Sequence, residues 1–154
     1  MEYFIRLISE ILSSGKWEKV LLVGAPNESA YVAKICREMP EDVRAKTIDM
    51  SGCLDMESFI ALLRLSTLFI TNDSGPLHIA SALGTPTISF FGPETPTLYG
   101  PLGKKDMVFF AGLYCSPCLN VYNAKRAMCG GDNHCMKEIT PAEVVRSMNA
   151  AGLL

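Results

Sequence analysis

The sequence predicts an α/β protein built on a Rossmann-like, doubly wound and mostly parallel sheet. Three observations predict it. Apolar runs of strand length recur at Val20-Leu21-Leu22-Val23, Leu68-Phe69-Ile70-Thr71 and Thr87-Ile88-Ser89-Phe90-Phe91. Segments with helical spacing separate them, and strand–helix alternation is the mark of a parallel sheet with helices on its faces. The runs are continuous rather than alternating, as in strands covered on both sides.

In chain order, Phe4, Leu7, Ile8, Ile11 and Leu12 are spaced for a first helix that Gly15 ends. After the Val20 strand, Asn27 is a candidate cap for a second helix, which stops before Pro40. Residues 45–49 read as a short strand, and Asp55 as the cap of a helix carrying Phe59, Ile60, Leu62 and Leu63. The helix after Thr71 runs from about Pro76 to Leu83, with proline at its start and Gly84 past its end. Gly92-Pro93 closes the Thr87 strand, and Met107 to Phe110 reads as a last strand. Thr140-Pro141-Ala142-Glu143 is a capping box opening a final helix with Val144, Val145 and Met148. The whole of 1–154 reads as a single domain with one long irregular, cysteine-rich loop at 111–139.

At 154 residues and 49% hydrophobic, the chain can bury a core. A formal charge of −2 leaves no electrostatic footprint for nucleic acid. Lys104-Lys105 and Lys125-Arg126 read as solvated surface pairs. The most apolar stretch, 60–70, contains Arg64 and is shorter than the roughly 20 residues a membrane span needs. The first residues lack the layout of a signal peptide. The expectation is a soluble, cytoplasmic protein, with its six cysteines in a reducing compartment.

Asn72-Asp73-Ser74-Gly75-Pro76-Leu77-His78 is the most informative segment. It is a strand end, a Gly-Pro corner and a helix start, and such a start favours phosphate. Asp73 or Ser74 could simply cap the helix. The combination reads further. Gly75 permits close approach, and Ser74 and His78, four apart, share the face at the positive end of the helix. Asp73 is a poor phosphate ligand and suits orienting the loop or accepting from a hydroxyl.

The stretch from Phe69 to Thr87 closely resembles the signature of glycosyltransferase family 9, the ADP-heptose:lipopolysaccharide heptosyltransferases. Leu22-Val23-Gly24-Ala25-Pro26-Asn27-Glu28 resembles that family's second strand and turn, and Phe90-Phe91-Gly92-Pro93 its strand after the signature helix. Cys115-Ser116-Pro117-Cys118, Cys129, Cys135-Met136 and Ile139-Thr140-Pro141 resemble its C-terminal stretch. The resemblance implies the donor-binding half of a GT-B enzyme, with inverting, metal-independent transfer to a lipopolysaccharide core acceptor. It places Asp73, Ser74, Gly75, Pro76 and His78 at the diphosphate and sugar of a nucleotide sugar such as ADP-heptose. Gly24 and Glu28 fall near the nucleoside. No catalytic residue is expected here, because the family's base lies on its acceptor domain. The match starts at the family's first helix of this domain, so its first strand is expected to be lacking, leaving an unpaired sheet edge or a sheet that closes up differently. The chain alone is then expected not to transfer sugar.

Cys115-x2-Cys118-x10-Cys129-x5-Cys135 places four thiols in one segment. The first pair has zinc-ligand spacing and the others do not, so a structural zinc, free thiols and a disulfide all stay open. Rival readings are a non-catalytic nucleotide-binding module and a zinc-stapled interaction domain. An NAD-binding fold is disfavoured, because Gly24-Ala25-Pro26-Asn27 lacks the glycine-rich turn.

Overall fold

The computed structural model describes residues 2–119, 126–127 and 129–154. Lys125 and part of the 111–139 loop lie outside the described residues. The fold is mixed α/β with parallel sheets. The residues group into two compact units, 1–55 with 140–154, and 56–139.

The first unit holds α1 (Glu2–Ser13), β1 (Val20–Leu22), a 3-10 turn (Pro26–Glu28), α2 (Ser29–Glu38), α3 (Glu41–Ala45), β2 (Thr47–Asp49) and α8 (Pro141–Ala150). β1 and β2 pair in parallel, Val20 beside Thr47. Ile8 and Leu12 of α1 bury against Ile35, Met39 and Val43, with Val20 and Leu22 packed on the same cluster. The Thr140 hydroxyl accepts the Glu143 N–H, as the capping box predicts. Asn27 does not cap α2. Proline at the start of Pro26–Glu28 favours a tight 3-10 turn, so Asn27 falls inside it and α2 begins at Ser29.

The second unit holds α4 (Met56–Leu65), β3 (Phe69–Asn72), α5 (Gly75–Ala82), β4 (Thr87–Phe91), α6 (Pro96–Tyr99), β5 (Asp106–Phe110) and α7 (His134–Lys137). The parallel order is β3-β4-β5, with β4 central and buried at every residue. Its two polar side chains are satisfied in place. The Thr87 hydroxyl donates to Asp106 Oδ1 at 2.7 Å and the Ser89 hydroxyl to the Met107 carbonyl at 3.4 Å. The Asp106 carboxylate also accepts from the Ser81 hydroxyl and the Gly103 N–H, tying α5 to the loop before β5. Thr85 is buried and donates to the Leu63 carbonyl at 2.8 Å. Gly84, with φ of +77°, closes α5 as the sequence predicts.

Among the described residues the strands form two hydrogen-bonded sets, and β1 and β3 each pair on one side only.

The four clustered cysteines do not form a zinc site. Among the described residues no group of three or more His, Cys, Asp or Glu is placed to hold a metal ion, and none of the six cysteines is in a disulfide. The reason lies in how each cysteine is used. Cys135 is buried, its sulfur 2.9 Å from where a Cβ on Gly92 would stand. Cys118 is held through its backbone N–H to the Pro93 carbonyl. Cys129 is exposed on the turn leading to α7. Burial pushes the Cys135 thiol up, whereas N–H groups of Asn133 and Gly131 pull the Cys129 thiol down.

Replacing Thr85 by valine removes a buried hydrogen bond and leaves the Leu63 carbonyl with the Ser66 N–H alone. Denaturant unfolding of Thr85→Val will show a loss of about 0.5–1.5 kcal/mol; an unchanged midpoint contradicts the packing described. The thiol shifts set an order of reactivity, because only the thiolate reacts. A thiol titrating below the ordinary range keeps its thiolate as pH falls, so near-neutral alkylation followed by peptide mapping will modify Cys129 first and Cys135 last. Equal rates in the folded protein contradict both environments.

Candidate functional site

The site of interest is the turn from β3 into α5. The N–H of Asp73 donates to the Phe90 carbonyl at 3.0 Å, the final rung between β3 and β4. The chain can then leave the sheet. Ser74 is extended, with φ −161° and ψ 162°, and α5 begins at Gly75 with Pro76 in its first turn. Proline suits this position because an N–H there would lack a partner within the helix.

Ser74 stands at the cap position, yet its side chain makes no capping bond. Its hydroxyl pairs with the Thr71 hydroxyl at 3.1 Å, and Thr71 also donates to the Asn72 carbonyl. The simple capping role is therefore not how this serine is used. The sequence suggests several open amides at the helix start, and the structure narrows that number. Pro76 has none, and the Leu77 N–H turns back to the Ser74 carbonyl at 3.1 Å. The Gly75 N–H has no hydrogen-bond partner among the described residues.

Open space lies in front of that amide. A Cβ built on Gly75 meets no atom within 4 Å, so glycine here keeps a volume clear rather than avoiding a neighbour. Gly75 and His78 are exposed, Ser74 is half-buried, and Leu77 anchors the same helix with no exposed surface. The corner thus gathers one free amide, the positive end of an eight-residue helix, a hydroxyl and an imidazole. Such a set can receive an oxyanion without a metal.

Gly24 and Glu28 lie in the other unit. Glu28 is exposed, and its Oε2 accepts the Ala25 N–H at 2.8 Å, holding the turn after β1. A Cβ on Gly24 would stand 3.3 Å from the same Oε2, so Gly24 gives that carboxylate room. Cys115, Cys118, Cys129 and Cys135 contribute no metal set, as described above. Sequence reasoning missed Asp106, Ser81 and Thr87 as the network that fixes α5. The polar residues Thr87 and Ser89, alternating within an otherwise apolar strand, were the available signal.

Comparison with known proteins was made on this footing. The family model described as glycosyltransferase family 9 (heptosyltransferase) matches residues 1–128. The chain is 25% identical to lipooligosaccharide heptosyltransferase 2 of Haemophilus influenzae over 147 residues, covering 96% of this chain and 41% of that protein. The solved structure of Escherichia coli ADP-heptose lps heptosyltransferase II superposes with a TM-score of 0.77 at 22% identity, over 96% of this chain and 40% of that one. E. coli heptosyltransferase WaaC, solved with ADP, gives a TM-score of 0.71 at 22% identity, over 97% of this chain and 38% of that one. At these identities the two structures speak for the fold. The chain spans about two fifths of the length of the relatives it matches. No helix among the described residues is long and apolar enough to cross a membrane. With the family model covering most of its length and the signature lying on the β3–α5 corner, the chain belongs to glycosyltransferase family 9.

Proposed function

We propose that this chain is the nucleotide-sugar-binding part of a heptosyltransferase-like enzyme, and that the β3–α5 corner holds the donor diphosphate. The observation that carries this reading is the open start of α5, where the Gly75 N–H has no partner among the described residues and a Cβ on Gly75 meets no atom within 4 Å. One similar structure was solved with ADP, which makes an adenosine diphosphate sugar such as ADP-heptose the first donor to test.

The chemistry assigned to the corner is stabilisation of a leaving group. As the sugar–phosphate bond breaks with inversion, negative charge grows on the departing diphosphate. A fixed amide and helix end aimed at that charge act without reorganising, and lower the barrier without a divalent metal. The exposed imidazole of His78 adds a donor to a phosphate or sugar oxygen. Asp73 suits orienting the loop or accepting from a sugar hydroxyl rather than contacting phosphate. Pro76 sets the helix direction.

Gly24 and Glu28 belong near the nucleoside in this reading. Glu28 Oε2 is occupied by the turn, so Oε1 is the atom free to accept from a ribose hydroxyl. The acceptor, a lipopolysaccharide core sugar, and the base that activates it belong to the family's other domain. We assign the chain a cytoplasmic setting at the inner face of the membrane, where such an acceptor is available.

Calorimetric titration with ADP, followed by NAD, tests the reading. ADP will bind and NAD will bind more weakly or not at all. Gly75→Leu starts a side chain where a Cβ meets no atom within 4 Å among the described residues. It will keep the thermal midpoint of the parent and abolish ADP binding. His78→Ala will weaken ADP binding by about 10- to 150-fold, the range for one hydrogen bond to a charged group. Undiminished binding in Gly75→Leu contradicts the site. In a transfer assay with ADP-heptose and a core acceptor, the chain alone will show no turnover; measurable transfer would overturn the assignment of the base to another domain.

A further inference from the structure

The segment after α6 carries surface that the donor reading leaves unexplained. Leu98 is 75% and Leu102 97% exposed, with the half-exposed Tyr99 between them. Lys104 and Lys105 follow directly, both exposed and without an ion-pair partner among the described residues. Isolated exposed leucines are ordinary. Here two stand on one short stretch beside a tyrosine and two lysines.

The stretch is also held so that the leucines cannot fold back. The Thr95 hydroxyl accepts the Thr97 N–H, and the Gly100 N–H donates to the Pro96 carbonyl at 2.8 Å. A Cβ on Gly100 would stand 2.4 Å from that carbonyl oxygen, so the backbone is packed on itself there. The Gly103 N–H donates to Asp106 and Ser81, and a Cβ on Gly103 would stand 2.4 Å from Asp106 Oδ2. The loop is pinned at both ends, with its apolar side chains turned to solvent.

Local charge decides what such a surface suits. Between Glu94 and Asp106 there is no acidic residue. The carboxylate of Asp106 is turned inward, receiving bonds from Thr87, Ser81 and Gly103. A recess of about 260 Å³ lies between Gly84–Thr85 and Gly103–Asp106, with Lys104 and Lys105 among its lining. The stretch therefore presents apolar tips, an amphipathic ring and two positive charges beside a shallow recess. Leucines standing out singly, without a groove, suit a fluid acyl layer better than a packed protein interface.

We propose that residues 98–105 form a membrane-contact element that seats on an anionic bilayer, with Leu98 and Leu102 entering the interface. Lys104 and Lys105 meet the acidic headgroups. This follows from a different surface than the donor corner and does not depend on it. Short elements of this kind bind reversibly, through buried apolar area together with attraction to anionic lipid.

Co-sedimentation of the full chain with vesicles tests it. The chain will partition onto phosphatidylcholine vesicles containing one third phosphatidylglycerol, and poorly onto pure phosphatidylcholine, with binding falling as salt rises. Lys104→Glu/Lys105→Glu will reduce partition by about tenfold or more. Leu98→Ser/Leu102→Ser will do the same by removing the inserted groups. These side chains are exposed, so both variants will keep the parent melting midpoint. The proposal is overturned by no binding to anionic vesicles, by equal binding to neutral ones, or by binding that neither variant changes. It is also overturned if the leucine variant turns a self-associated chain monomeric while no form binds lipid, which would make a second copy the occupant.

Discussion

The hydrogen bond from the Asp73 N–H to the Phe90 carbonyl is the constraint on which the candidate site rests. It is the last rung of the β3–β4 ladder and fixes where the chain leaves the sheet. The ladder itself is fixed by β4. That strand pairs on both sides and is buried throughout, so a slip of one residue would separate Thr87 and Ser89 from their hydrogen-bond partners inside the core. Asp106 joins the two ends of the arrangement by binding Thr87 on β4 and Ser81 on α5. The position of the Gly75 amide is thus set by bonds among β3, β4, α5 and the loop before β5. This is what a site needs if it is to stabilise charge without rearranging.

The corner is economical in donors. Proline removes one amide, and a tight turn uses another, which leaves one backbone N–H beside a hydroxyl and an exposed imidazole. A single amide with a short helix gives less stabilisation than a glycine-rich loop wrapped around a phosphate. In the proposed reading the remaining binding comes from sugar and nucleoside contacts, and His78 and Asp73 are the side chains proposed to select the donor. Affinity for a bare diphosphate should accordingly be modest compared with that for the complete nucleotide sugar.

Much of this was legible in the chain. The strand Thr87–Phe91, the glycine ending α5 and the Thr140 cap follow from apolar run length, positive φ and side-chain capping, which are local properties. The corner was legible for the same reason, since its chemistry sits within seven consecutive residues. What was not legible depends on contacts distant in sequence. The helices Glu41–Ala45, Pro96–Tyr99 and His134–Lys137 are each five residues or fewer, too short to carry a periodicity. Asn27 looked like a cap because caps favour asparagine, but the preceding proline set a different turn. The cysteine spacing suggested zinc, yet spacing does not say which way each sulfur faces. Cys135 went inward against Gly92 and Cys129 outward. The division of the strands into two paired sets was anticipated only as an unpaired edge or a different closure of the sheet.

The most direct test of the central claim is an amide-resolved NMR titration of the chain with ADP. A diphosphate resting on the β3–α5 corner will shift the Gly75 amide most strongly, with Ser74 and the His78 ring following at the same saturation. Saturable binding that moves other amides and leaves Gly75 unchanged would contradict the account.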